Sequence, residues 1–402
     1  MATQKSMLKE MHWDQHYAVS GIEDVLTPAL VIYPDLIAAN IERTLDLLAG
    51  DADRWRVHIK TAKLGHTLCM LVERGVRNFK CATTLELLVA CRSGAADVLF
   101  AYPAMGANAR RARDIAQQFP DVRISVLAEN EEQVRQWRGS RLGIFLDINP
   151  GMNRTGIDQS QTNKVVALAR AIAAAGLEFR GLHYYDGQFG SLAEPERTQA
   201  AHRGYDRLLQ MVSELERTSI PVPEVITSGT PTFSCSLAYE GFRCGKFIHR
   251  VSPGTIVYCD ATSLQQLPQE CGYRPAALVL TRVVSCPHPG IVTCDAGHKA
   301  VSADAGVPTC VVLGHPELTP LSPSEEHLPM AIKEDATGPQ GGDALYLLPR
   351  HICPTVNNFD CALLVRNGNI ESTENVSARG REAPLLRSSS RAFSVPGSET
   401  MN

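Results

Sequence analysis

The sequence predicts an α/β protein, a (β/α)8 barrel of the TIM type joined to a second, mostly β domain that also takes a strand from the N-terminal end. Three observations carry this. Short apolar, β-branched runs begin near Val57, Phe79, Val98, Ile124, Ile144, Phe179, Val225 and Arg250, eight in all. The segments between them keep helical spacing, as in residues 163–175, where Val165, Val166, Leu168, Ala169 and Ile172 recur on one face. From about Pro275 the rhythm changes to strand-like runs separated by Pro- and Gly-rich turns.

Alternation of strand and helix eight times fits a closed barrel better than a doubly wound sheet, which more often holds about five or six strands. A barrel places its chemistry at the C-terminal ends of its strands. The isolated run Leu30-Val31-Ile32-Tyr33 precedes the barrel and is expected to pair into the β domain, whose own strands are expected at 276–286, 290–295, 309–313, 344–348 and 359–366. The expected division is therefore 1–35 for the N-terminal segment and its strand, 36–265 for the barrel and 266–380 for the β domain. Residues 381–402 are rich in Ser, Arg and Pro without an apolar stripe, and are expected to be a disordered tail.

With 402 residues, 39 basic against 43 acidic side chains and a formal charge of -4, the chain shows no basic footprint for nucleic acid. No window approaches the ~20 consecutive apolar residues that cross a bilayer, so no membrane partner is expected. The polar first twenty residues lack the apolar core and cleavage site of a secretory signal, which predicts a cytoplasmic protein. Its twelve cysteines include no Cys-x-x-Cys pair and are expected to be free thiols for the most part. The partner left by these exclusions is a small molecule.

Three segments bear chemistry. In Arg56-Val57-His58-Ile59-Lys60-Thr61-Ala62-Lys63, at the end of the first barrel strand, a lysine projects into the barrel mouth, where partial burial frees its amine to attack an aldehyde. Thr227-Ser228-Gly229-Thr230 and Ser252-Pro253-Gly254-Thr255 follow the seventh and eighth strands, the usual place for a phosphate cradle of backbone N–H groups and hydroxyls. Phosphate bound opposite an aldehyde-reactive lysine describes pyridoxal 5'-phosphate. In the β domain, His351-Ile352-Cys353 on an extended strand would turn imidazole and thiol to one face, a donor pair suited to a divalent metal, Zn²⁺ first and Mn²⁺ or Mg²⁺ next. Two protein ligands leave positions open for substrate.

These pieces, in this order, resemble the D-threonine aldolase and D-serine dehydratase family of pyridoxal phosphate enzymes, which have an alanine-racemase-like barrel and a C-terminal β domain. Thr27-Pro28-Ala29-Leu30-Val31 is similar to the family's entry strand, and Arg56-x-His58-x-Lys60-Thr61 to its Arg-Pro-His-x-Lys segment, which implies that Lys60 bonds to the cofactor with His58 beside it. Lys63 matches the segment's second lysine, while Ala62 stands where the family commonly has His. Asp147-Ile148-Asn149-Pro150-Gly151-Met152-Asn153-Arg154-Thr155-Gly156 resembles the acidic strand and turn that bring an arginine, here Arg154, to the cofactor ring. Gly181-Leu182-His183-Tyr184-Tyr185-Asp186-Gly187 resembles the strand that supplies a tyrosine, here Tyr185, although Asp186 replaces a histidine usual in the aldolases. Ser228, Gly229, Thr230, Gly254, Thr255 and Tyr258 fall in the remaining cofactor-binding positions. Asp295-Ala296-Gly297-His298-Lys299, Glu326-His327 and Ser377-Ala378-Arg379-Gly380 are similar to the family's β-domain motifs.

The resemblance implies a lyase acting on D-3-hydroxy amino acids, with Lys60, His351 and Cys353 as catalytic residues and His351 and Cys353 on the metal. It leaves two reactions open: β-elimination to a 2-oxo acid and ammonia, and retro-aldol cleavage to glycine and an aldehyde. His-x-Cys followed by Pro354 is the dehydratase form of the metal pair, so elimination is the expected reaction. A metal-independent racemase and a non-catalytic pyridoxal phosphate carrier are the alternatives. A homodimer is expected on resemblance alone.

Overall fold

The computed structural model describes residues 17–385. Its barrel is a parallel sheet of eight strands: β2 (Arg56–His58), β3 (Asn78–Cys81), β4 (Asp97–Phe100), β5 (Arg123–Ala128), β6 (Gly143–Asn149), β8 (Glu178–Tyr184), β9 (Glu224–Thr227) and β10 (Ile248–Val251). A two-residue strand β7 (Ile157–Asp158) pairs with β6 off this path. The ring is nearly closed by a parallel bridge between Trp55, just before β2, and Val251 of β10. All eight expected runs are strands, each beginning within two residues of its expected start.

The second domain is a sheet built from both ends of the chain. β1 (Ala29–Ile32) lies between β11 (Ala277–His288), antiparallel, and β17 (Cys361–Arg366), parallel. β12 (Ile291–Cys294), β13 (Cys310–Val312), β14 (Leu318–Pro320), β15 (Leu328–Ile332), β16 (Ala344–Pro349) and β18 (Asn369–Asn375) complete it. Most of the expected tail lies outside the described residues. No helix among the described residues is long and apolar enough to cross a membrane.

Inside the barrel the side chains fall into three levels. At the N-terminal end, buried Arg56, Arg180 and Arg250 face Asp97 and Glu224. Arg56 reaches Asp97 at 2.9 Å and Glu224 at 2.9 Å, Arg180 reaches Asp97 at 2.7 Å, and Arg250 also pairs with Glu224. Above them Leu99, Leu127, Phe145 and Ile226 form an apolar plug. A polar level of Lys80, Asp147 and His183 lies over the plug. Arg180 and His183 would point to opposite faces of a regular strand, but the register shifts by one residue at Gly181, whose φ is +128°. A Cβ there would lie 1.8 Å from the Glu224 carbonyl oxygen, so only glycine permits the bulge.

The ionic level makes stability pH-dependent. Burial alone would raise the Asp97 carboxyl, but the guanidinium groups of Arg56 and Arg180 outweigh it and hold it well below the usual carboxylate range. A group depressed in the folded state stabilises above its unfolded-state value of about 4, and that contribution is lost as pH falls toward the folded one. Asp97→Asn is expected to lower stability at pH 7 by about 3 kcal/mol, since it leaves buried guanidinium groups underpaired. The loss should shrink toward about pH 3, as seen by urea unfolding across that range.

Candidate active site

The C-terminal ends of the barrel strands and the β domain enclose a cavity of about 260 Å³. His58, which ends β2, and Lys60 and Thr61 just beyond it line the cavity, with Gly229, Thr230 and Pro231 after β9 and Ser252, Gly254 and Thr255 after β10. The β domain contributes Ala305, His351 and Cys353. Residues 60 and 351–353, nearly three hundred positions apart in the chain, thus share one small chamber.

The turn carrying Lys60 is built from below. The Lys60 N–H donates to His58 Nδ1 at 3.3 Å, and the Ile59 N–H to the Lys80 carbonyl at 2.8 Å. Tyr258, expected among the cofactor-binding residues, does not line the cavity. It is fully buried, its hydroxyl donates to the Ala62 carbonyl at 2.8 Å and receives Thr67, and it fastens the Lys60 turn to the core. Lys63 is likewise turned away, paired with Glu86 at 2.7 Å. Burial, followed by the charges of Lys60 and Lys80, keeps the His58 imidazole well below its ordinary value, so it is neutral at pH 7.

Three buried hydroxyls around the β9 and β10 turns, those of Ser228, Thr230 and Ser252, have no hydrogen-bond partner. Thr230 and Ser252 line the cavity, while Ser228, expected in the same role, is fully buried beside it and is not a lining residue. Buried donors are rarely left unpaired, and such a set at one cavity marks a place for an oxyanion. The backbone is shaped to match: a Cβ on Gly254 would lie 2.2 Å from the His58 carbonyl oxygen, and one on Gly229 would lie 2.6 Å from Tyr185. Pyridoxal phosphate fits this donor set, with phosphate at Ser228, Gly229, Thr230, Ser252, Gly254 and Thr255 and its aldehyde toward Lys60. Tyr185 lines the same cavity. Arg154 does not. It is exposed, and its guanidinium lies over the Tyr185 ring at 5.1 Å from the centroid.

His351 and Cys353 meet by a different backbone route from the expected extended strand. β16 ends at Pro349, His351 caps a short helix, Ile352–Val356, and Cys353 lies in its first turn. The Ile352 N–H donates to buried Asp260 at 3.0 Å, satisfying a helix-terminal donor. His351 and Cys353 both line the cavity, and His351 Nδ1 donates to Asp304 at 2.7 Å. Cys353 Sγ is 3.0 Å from Thr61 Oγ1 and 3.7 Å from Thr255 Oγ1. Burial works against charge at both groups. The pair nevertheless reinforces itself: the thiol is lowered by His351 and by Lys60, and the imidazole is raised to about 9 by Cys353 and Asp304. Among the described residues no group of three or more His, Cys, Asp or Glu gathers as a metal cage. The pair nonetheless fits an open two-ligand site, with Asp304 fixing the imidazole orientation as metal-bound histidines require.

One residue escaped the sequence reading, and another, Asp186, was noted there without its surroundings. Lys80, a lone lysine in the buried strand Asn78–Cys81, is 2% exposed, and its Nζ lies 3.4 Å from His183 Nε2. Asp186 is fully buried and accepts hydrogen bonds from Tyr205, at 2.7 Å, and Thr232; it does not line the cavity.

Comparison with known proteins follows this geometry. Residues 32–261 match the family described as alanine racemase, N-terminal domain. The chain belongs to that family. Residues 276–365 match a second description, putative serine dehydratase domain. The chain is 28% identical to 3-hydroxy-D-aspartate aldolase of Paracoccus denitrificans over 393 residues, covering 90% of this chain and 95% of that one. It is 24% identical to D-threo-3-hydroxyaspartate dehydratase of Delftia sp., covering 87% and 96%. The crystal structure of D-threonine aldolase from Filomicrobium marinum superposes with a TM-score of 0.80 at 26% identity, over 89% of this chain and 96% of that one. That fold is an alanine-racemase-like barrel with a mostly β second domain, as the motifs implied.

Proposed function

We propose that the protein is a pyridoxal phosphate- and divalent-metal-dependent lyase of D-3-hydroxy amino acids, acting by β-elimination to a 2-oxo acid and ammonia. One observation carries this reading: the Lys60 amine, the unpaired hydroxyls of Thr230 and Ser252, and the His351–Cys353 pair line one cavity of about 260 Å³.

Pyridoxal phosphate, when bound, supplies an electron sink for the pair released at the substrate Cα. His351 and Cys353 would hold a divalent metal, which would supply a Lewis acid for the β-oxygen. The protein's own groups do the rest. Ser228, Thr230 and Ser252 donate hydrogen bonds to phosphate oxygens, and the glycines at 229 and 254 let the backbone close on them. Lys60 Nζ takes the Cα proton. Thr61 steadies the Cys353 sulfur, and Asp304, by accepting from His351 Nδ1, leaves Nε2 as the nitrogen that would take the metal.

The position of Asp186 supports elimination over cleavage. Retro-aldol cleavage needs a base at the β-hydroxyl, and the residue that stands for the aldolase histidine is sequestered by Tyr205 and Thr232. Cleavage to glycine and an aldehyde is the second reading, favoured by the 28% identity to 3-hydroxy-D-aspartate aldolase; His58 lines the cavity, but its Nδ1 is already taken by the Lys60 N–H. Incubation with D-serine and D-threonine in the presence of Zn²⁺, assayed for 2-oxo acid and for glycine, tests both. Accumulation of 2-oxo acid that stops in chelator is expected. Glycine and aldehyde would favour the second reading, and full activity in chelator would defeat the metal assignment.

A further inference from the structure

Lys80 sits at the C-terminal end of the second barrel strand, in register with His58 on the first. Its ammonium lies in the polar level above the apolar plug, and the Tyr185 ring that lines the active-site cavity is 5.6 Å away. Among the described residues its one side-chain hydrogen-bond partner is His183 Nε2. His183 Nδ1 is in turn 2.7 Å from Asp147 Oδ1, and Asp147 Oδ2 accepts from Thr155 at 2.7 Å. Because the Nδ1–H donates to Asp147, Nε2 presents a lone pair, and the Lys80 amine is oriented by a neutral acceptor. Among the described residues no carboxylate forms an ion pair with Lys80.

A buried amine with two free N–H donors and no counter-ion among the described residues carries its charge at a cost, which an anion bound beside it would relieve. Its surroundings agree. Burial first, then the charge of Lys60, bring the Lys80 amine down to about 7, while Asp147 and Asp186 act in the opposite sense at a distance. Arg154, the other cation near Tyr185, is exposed and already faces solvent.

We propose that Lys80, oriented by His183 and Asp147, is an anion-binding residue of the barrel mouth that receives the ring phenolate oxygen of the bound cofactor. This rests on the reading that the cavity takes pyridoxal phosphate. The anionic oxygen has a second available source, the α-carboxylate of the amino acid, and the test separates the two.

Wild type and Lys80→Met, prepared as apoproteins, are compared by thermal melting and by equilibrium binding of pyridoxal phosphate and of its 3-O-methyl ether, which lacks the phenolate. Apo Lys80→Met is expected to melt at or above the wild-type temperature, because an uncompensated buried charge has been removed. Its dissociation constant for pyridoxal phosphate should rise at least about tenfold, the loss of one charge-assisted hydrogen bond. The preference of wild type for pyridoxal phosphate over the ether should vanish. If cofactor binding and that preference stay intact while D-alanine no longer perturbs the bound cofactor's spectrum, the anion is the substrate carboxylate and the phenolate assignment is overturned. An apo variant that melts well below wild type or does not fold makes Lys80 a structural cation and overturns the proposal, as does unchanged binding of every ligand. Failure of wild type itself to bind pyridoxal phosphate would instead defeat the proposed function.

Discussion

Lys60→Ala is expected to lower turnover by about 10³-fold or more and to end covalent attachment of pyridoxal phosphate. Among the described residues Lys60 is the one lysine that lines the cavity, Lys80 being buried beneath it behind Tyr185, and in the proposed reaction Lys60 both bonds to the cofactor and moves the Cα proton. The hydroxyl and glycine cradle is separate from it, on the turns after β9 and β10, so the variant should still retain the cofactor noncovalently through its phosphate. Borohydride reduction followed by peptide mass spectrometry gives the readout. Wild type should carry the reduced cofactor on the peptide containing Lys60, and the variant on none. Modification that moves to Lys63 or Lys80 at full activity would show that another amine does the work. Lys63 is ill placed for that, because it is buried in its ion pair with Glu86.

The second large effect is expected at Cys353. Cys353→Ala should lose bound Zn²⁺ and lower elimination by about 10²-fold or more, while the dissociation constant for pyridoxal phosphate stays within about threefold of wild type. The thiol touches Thr61 and Thr255 but none of the unpaired hydroxyls of the phosphate cradle, so its loss is felt at the substrate's β-oxygen rather than at the cofactor. Metal analysis of dialysed protein alongside the kinetics checks this. Retained metal with retained activity would mean that the ion, if there is one, is bound elsewhere.

Much of the architecture was legible because the barrel writes itself into sequence as repeated apolar runs, and all eight became strands. The β domain was less readable where its strands lack that signature. β14 is three residues long and ends in Pro320, and β18, Asn-Ile-Glu-Ser-Thr-Glu-Asn, is a mostly polar strand paired on one side only, with β17. Such segments become strands through pairing, which no local pattern announces. The stretch after β16 was read as extended and is helical because Asp260, ninety residues earlier in the chain, accepts the Ile352 N–H, and because Pro354 is tolerated in a first helical turn. Tyr258 matched a binding motif by position, yet its ring is turned into the core, a matter of side-chain direction that spacing does not fix. Lys80 was missed for the opposite reason. It belongs to no motif, and its one sequence signal is a charge in the middle of a strand whose four residues are all buried.

The most direct measurement is anomalous diffraction from crystals grown with pyridoxal phosphate and Zn²⁺. A zinc peak between His351 Nε2 and Cys353 Sγ is predicted, in the same chamber as density running continuously from Lys60 Nζ to a cofactor whose phosphate rests on Ser228, Thr230 and Ser252. Zinc bound away from that pair, or a cofactor lodged in another cavity, would contradict it.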